Sequence, residues 1–334
     1  MSQVLLELAL FASKAIIVFL IIFFLLITFF MLLAKSREKI KEGRLHVKNL
    51  NKKYAEATET ILSETLSKKL FKKSLKEKKA AEKVKAASEE KAKNIYVINF
   101  HGDIKASAVT TLSEEITAIL NVANPEDEVV VKIESAGGIV HGYGLAAAQL
   151  MRIRAQQIPL TVTIDKIAAS GGYLMACVAN KILCAPFAII GSIGVIVQLP
   201  NLHRYLKNKS IDFEQLTAGE YKRTITVFGE NTEEGREKLK HELEDVHHLF
   251  KQLIMEHRQQ IDIQKVATGE HWLGTQALGL NLVDEIKTSD DYLLECSKQA
   301  QVFEIAFEVK KPLLSKLSAT ANLLKEKALT ALLK

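Results

Sequence analysis

The stretch that sets the fold reads Leu160-Thr161-Val162-Thr163-Ile164, a β-branched apolar run, followed at once by Ala168-Ala169-Ser170-Gly171-Gly172-Tyr173. A strand of that kind running into a glycine-rich turn and then a helix is one unit of an α/β domain. Ser170 stands at the start of the helix. The two glycines let the backbone approach a substrate without a Cβ in the way, and the free N–H groups of a helix start can stabilise developing negative charge. Ser170 is therefore placed as a nucleophile that still needs a base.

The same alternation continues on both sides. Strands are expected at 95–100, 129–133, 160–164, 181–184, 195–199 and 213–217, and helices at 107–122, 143–155, after Ser170, around Leu202 and over 232–260. In the last of these Leu239, Leu243, Val246, Phe250, Leu253 and Ile254 form one apolar stripe. Repeated units of this type predict an α/β domain with much parallel sheet and a ligand site at the carboxyl ends of its strands. Ser170 falls at such an end. A second glycine pair, Glu134-Ser135-Ala136-Gly137-Gly138, closes the strand 129–133. It reads as a tight strand-to-helix turn, or as a second oxyanion donor in which Gly138 serves the same charge as Gly171.

The rest of the chain is of different character. In 334 residues, 48% are apolar and 25% charged, a normal globular balance. Residues 15–34 form an uncharged run that, as a helix, is long enough to cross roughly 30 Å of hydrocarbon. It exceeds the usual apolar core of a secretory signal, and no small-x-small site precedes Lys35, so the run reads as a transmembrane helix. Beyond it come Lys35, Arg37, Lys39, Lys41, Arg44, Lys48, Lys52 and Lys53, against Lys14 alone on the other side. Positive-inside counting puts the bulk of the chain in the cytoplasm.

The basic run continues through Lys85, interleaved with Ala and Glu and nearly free of aromatics that could stack on bases. Residues 35–93 are thus expected to be a solvated helical linker beside anionic lipid, with no specific nucleic-acid role. Residues 311–334 alternate Leu with Lys and suit a membrane-surface helix, a docking helix or a disordered tail alike. Cys177, Cys184 and Cys296 show no paired spacing and read as packing residues, and no metal or other cofactor is implied.

The residues alone do not settle which group activates Ser170. His101 ends a strand and His141 lies near the glycine turn, but no spacing ties either to Ser170. A desolvated lysine can take a hydroxyl proton as well, and with 45 basic residues the sequence nominates none.

A resemblance narrows the choice. Ser135-Ala136-Gly137-Gly138, Ala169-Ser170-Gly171-Gly172-Tyr173, Gly191-Ser192-Ile193-Gly194-Val195, Ala218-Gly219-Glu220-Tyr221-Lys222-Arg223 and Gly279-Leu280-Asn281-Leu282-Val283-Asp284 fall in order over residues 96–286. Together they resemble the signal peptide peptidase A, or protease IV, family of bacterial membrane serine peptidases, and most closely its single-repeat members. The resemblance implies a ClpP/crotonase-like spiral of β-β-α units over residues 94–310, after an N-terminal segment 1–34. It further implies a Ser-Lys dyad of Ser170 and Lys222, with Ser192 orienting the lysine amine and Gly138 and Gly171 as oxyanion donors. The family turn usually reads Ser-Pro-Gly-Gly, and here Ala136 replaces the proline without removing a reacting group.

The expected activity is that of an endopeptidase of the inner membrane acting on unfolded or membrane-derived peptides, remnant signal peptides included, as a homo-oligomer with inward-facing sites. The periplasmic placement often assumed for the family opposes the charge count. Two other readings stand beside this one. A crotonase-like acyl-CoA enzyme would share the fold and the glycine turns, and an inert membrane scaffold would use only the linker and tail.

Overall fold

The computed structural model describes residues 2–36, 43–87 and 93–309. The expectation for residues 311–334 lies outside the described residues. Two compact units divide the chain, 1–44 with 308–334 and 45–307. In the first, helix α1 (Ser2–Ser36) contains a segment, Ser13–Phe30, long and apolar enough to cross a membrane, and none of that segment is buried.

The second unit is an α/β domain. Its strands are β1 (Gly43–Asn49), β2 (Asn94–Gly102), β3 (Glu128–Ser135), β4 (Leu160–Ile164), β5 (Ile167–Ala169), β6 (Lys181–Cys184), β7 (Ile189–Gly191), β8 (His271–Leu273), β9 (Glu285–Ile286) and β10 (Gln301–Val309). Its helices are α2 (Leu50–Thr65), α3 (Lys68–Ala87), α4 (Val109–Leu120), α5 (Val140–Ala155), α6 (Gly171–Ala176), α7 (His203–Asn208), α8 (Glu233–His257), α9 (Ile263–Val266), α10 (Gly274–Gly279) and α11 (Ser289–Cys296).

The main sheet runs β1-β10-β2-β3-β4-β6-β9, and a branch leaves β3 through β5 and β7 to β8. Successive pairs β4–β5 and β6–β7 each send one strand to the main sheet and the next to the branch, with α6 between them. That is the β-β-α repeat that the resemblance implies. The pairings from β10 through β9 and along the branch to β7 are parallel, and β7–β8 is antiparallel. Interior strands of a parallel sheet are covered on both faces, which is why β4 is buried at every residue.

One face of the sheet packs Tyr96, Ile98, Phe100, Val131 and Ile133 against Leu112, Ile116 and Ile119 of α4 and Tyr143, Ala147 and Leu150 of α5. The spacing of the α4 contacts is that of a single helical stripe. The other face holds a smaller cluster of Ile95, Val97, Val130, Leu293 and Val302, closed by Leu50 of α2. Asn51 ties α2 to the domain: its Nδ2 donates to the Ser297 and Ala300 carbonyls at 2.8 and 2.9 Å, and its Oδ1 accepts from Val302 N at 2.7 Å. Within the stretch expected to be a helical linker, then, residues 43–49 form a strand beside β10 and residues 50–51 join the domain. Helices α2 and α3 follow, as the alanine, glutamate and lysine content requires.

Two expected strands are absent. Residues 195–199 and 213–217 are irregular and, apart from the half-buried Val195, exposed, with Ile196 at 76% and Leu216 at 96% of full exposure. Their β-branched and apolar side chains favour a strand only where a sheet edge and a covering face exist, and this chain offers them neither. The long helix does form: Thr232 caps it by accepting from Gly235 N at 3.1 Å, Glu233 and Glu234 sit in its first turn, and Phe250 and Ile254 are buried.

Candidate active site

Register brings the strand ends into a row. Gly102 of β2 lies opposite Ser135 of β3, Ser135 opposite Ala168 of β5, and Ala169 opposite Gly191 of β7. The residues that follow each end therefore share one edge: the turn 136–138, Ser170 and Ser192.

Ser170 caps α6 with φ 51° and ψ −119°, a conformation L residues rarely adopt. Its N–H donates to the Gly191 carbonyl at 2.7 Å and its carbonyl accepts from Leu174 N at 2.9 Å, so the backbone is pinned from both sides. A strained, non-glycine residue at a strand-to-helix turn, at a cost of about 1–3 kcal/mol, is the geometry that holds a nucleophilic hydroxyl out of the sheet. The side chain is half-buried, and its Oγ makes no hydrogen bond among the described residues.

The second glycine turn abuts this residue. Gly137 has φ +88°, and a Cβ built there would stand 2.7 Å from both Gly171 N and Ser170 Cβ. A Cβ on Gly171 would run into the buried ring of Tyr143. The first turn can touch Ser170 only because Gly137 carries no side chain, and Gly171 can lie against Tyr143 for the same reason. Gly171 N–H is the first of α6, which a helix leaves without an internal acceptor, and Gly138 N–H donates to nothing among the described residues. The two glycine turns, which the sequence places on neighbouring strand ends, lie against each other.

Ser192 follows β7 with φ 52°, and its N–H donates to the Glu270 carbonyl at 2.6 Å. Its side chain is half-buried. Lys222 is placed differently. It lies on an irregular arm, residues 195–230 apart from the short α7, with an exposed side chain over an open cavity lined also by Leu199, Phe213, Leu216, Ile225 and Phe228. No hydrogen bond joins Lys222 to Ser170 or Ser192. The chain thus brings Ser170, Gly171 and the 136–138 turn together, sets Ser192 on the adjoining strand end, and leaves Lys222 in solvent.

The histidines do not replace it. His101 sits 3.7 Å from Glu134 in a polar pocket with Asn99, Lys132, Thr163 and Asp165, and His141 is exposed on the first turn of α5. Cys177 and Cys184 are buried and Cys296 half-buried. Burial pushes the Cys177 thiol up to about 12 and that of Cys184 up to about 11, so both remain protonated packing groups. The sequence reading missed Tyr143 and Asp103: the Tyr143 phenol meets Ser135 beneath the glycine turn and donates to the Asp103 carbonyl. No local pattern marks them, because the contact forms only when three strand and helix ends converge.

Comparison with known proteins gives the family. Residues 3–150 match the model for the N-terminal part of peptidase family S49, and residues 152–303 match that for peptidase family S49 itself. A probable protease SohB of Haemophilus influenzae is 49% identical over 300 residues, 86% of this chain and 85% of that one. A probable protease SohB of Buchnera aphidicola from Schlechtendalia chinensis is 46% identical over 303 residues, 87% of this chain and 98% of that one. Among solved structures, a membrane-bound stomatin-specific protease in complex with a substrate peptide covers 69% of this chain and 98% of its own, at a TM-score of 0.44 and 13% identity. With a strained serine between two glycine turns and relatives of this likeness along most of its length, the chain belongs to peptidase family S49.

Proposed function

We propose that the protein is a membrane-anchored serine endopeptidase working through a Ser170–Lys222 dyad. Ser170 Oγ adds to the peptide carbonyl while its proton passes to the neutral amine of Lys222, oriented by Ser192. The carbonyl oxygen, now negative, is held by the N–H groups of Gly138 and Gly171. Collapse expels the amine, which takes the proton back from Lys222, and water then releases the acyl group from Ser170. The observation that carries the reading is the backbone of Ser170, pinned at φ 51° against a glycine turn at the carboxyl end of a parallel sheet.

A lysine can act as a base only after losing its proton, and removal from water is what drives that loss. Lys222 is exposed in the single chain, on an arm whose Ile196, Val197, Leu199, Tyr205, Ile211, Phe213 and Leu216 are exposed as well. Cover of this arm by a second copy of the chain, or by the peptide substrate, would supply the desolvation. This is the support for a homo-oligomer. Unfolded and membrane-derived peptides, such as remnant signal peptides, are the substrates an anchored enzyme meets. The long apolar α1 supports the anchor in the inner membrane, and the lysines of α3 support contact with anionic lipid.

The serine is tested by treating the detergent-solubilised protein with a serine-reactive peptide phosphonate. The expected adduct is on Ser170 and is strongly reduced in Lys222→Ala. An adduct on another serine would overturn the assignment. Topology is tested with Ala57→Cys on the exposed face of α2. In intact spheroplasts an impermeant maleimide is expected to leave that thiol unlabelled, as the charge count requires. Labelling before lysis would place the domain in the periplasm.

A further inference from the structure

Beneath the oxyanion turn four polar groups form a chain with one direction. Tyr143 O–H donates to the Asp103 carbonyl at 2.8 Å. Having a single proton, the phenol must then accept from Ser135, whose Oγ is 2.5 Å away. Ser135 Oγ in turn accepts from Gly137 N–H at 3.1 Å. The order is Gly137 N–H to Ser135, Ser135 to Tyr143, Tyr143 to Asp103, with every proton used once. Ser135 and the Tyr143 ring are buried, and burial pushes the phenol pKa up, so the hydroxyl stays a donor.

The surroundings leave this chain little freedom. A Cβ on Gly102 would run into both Ser135 Oγ and Tyr143 Oη. The Asp103 carboxylate is fixed by Ser107, whose N–H and hydroxyl donate to it at 2.8 and 2.5 Å. On the far side of the turn, Ile139 N–H donates to the Ile104 carbonyl at 2.8 Å, and the same carbonyl lies where a Gly138 Cβ would be. The turn 136–138 is thus held between the end of β2 and the first turn of α5.

We propose that Ser135 and Tyr143 are positioning residues that set the oxyanion turn, so that Gly138 N–H is held where charge develops during acyl transfer. Neither need touch substrate. The mechanism is preorganisation: a donor on a loop is worth little if the loop must be ordered during the reaction. Ala136 does not restrain the turn by ring closure, so the restraint comes from hydrogen bonds below it.

This inference rests on the serine-peptidase reading, and the test separates the two. In the full chain in detergent, kcat and KM on a chromogenic peptide, the Ki of a peptide boronate and the melting temperature are measured for Tyr143→Phe, Ser135→Ala and the double variant. Tyr143→Phe retains the ring that packs edge-on against Phe100 at 6.4 Å. The expected result is a fall in kcat of roughly tenfold to a hundredfold with KM within about twofold, since only the transition state carries the charge. Boronate affinity should fall in parallel, because its tetrahedral adduct places an oxygen at the same donors. The double variant should be little worse than either single one. Unchanged kcat and boronate affinity in both folded single variants, or a loss confined to KM, would overturn the proposal. Retained hydrolysis in Ser170→Ala would instead overturn the Ser170 acyl-enzyme reading from which it starts.

Discussion

Ser170→Ala should lower peptide hydrolysis by roughly a thousandfold or more while leaving peptide affinity within about twofold of the parent. In the proposed mechanism the side chain supplies the attacking atom, so without it only binding and the oxyanion donors remain. The substitution is well suited to the site. Alanine carries the same Cβ into the φ 51° conformation, and among the described residues Ser170 Oγ makes no hydrogen bond that its loss would break. The fold should therefore melt within a few degrees of the parent, and the lost rate can be assigned to chemistry. Product release followed by chromatography, with peptide binding read by fluorescence anisotropy, checks both halves. A variant that kept more than about a tenth of the activity would show that another residue bears the acyl group.

The second large effect is expected at Lys222, where charge and basicity can be separated. Lys222→Ala should lower kcat by about a hundredfold to ten-thousandfold, the usual range for a general base. Lys222→Arg should be nearly as inactive, since a guanidinium keeps the positive charge but does not give up its proton at working pH. Near-parental activity in Lys222→Arg would mean that the lysine serves as a charge, and the dyad would be withdrawn. The exposed side chain in the single chain makes this test sharper, because the activation must come from whatever covers the arm.

What could be read from the sequence was what is local. The strands β2, β3 and β4 announce themselves as apolar runs because both of their faces are covered, and α8 by its stripe and its Thr232 cap. Ser170 and its glycines are adjacent in sequence, so their proximity needed no fold to be seen. Strand β1 gave no such signal: its Leu45 and Val47 remain 42% and 60% exposed, and it lies in a charged stretch. Residues 195–199 and 213–217 gave a false one, since propensity cannot tell a strand from an apolar segment awaiting a partner. The link from Tyr143 to Asp103 spans 40 positions and was invisible for the opposite reason, each residue being unremarkable until the chain folds. Lys222 came from resemblance alone, and the single chain leaves it unattached.

The backbone of Ser170 also sets stability and activity against each other. Glycine at this position would adopt φ 51° without the penalty of a Cβ, relieving about 1–3 kcal/mol of strain, a sizeable share of the net stability of an ordinary domain. Selection for robustness alone would therefore favour removing the serine, and under the proposed mechanism it is demand for its hydroxyl that keeps it there. A lineage released from that demand would be expected to drift toward glycine here before losing anything else in the sheet. The identity of this one residue would then record whether a given descendant is still a working enzyme.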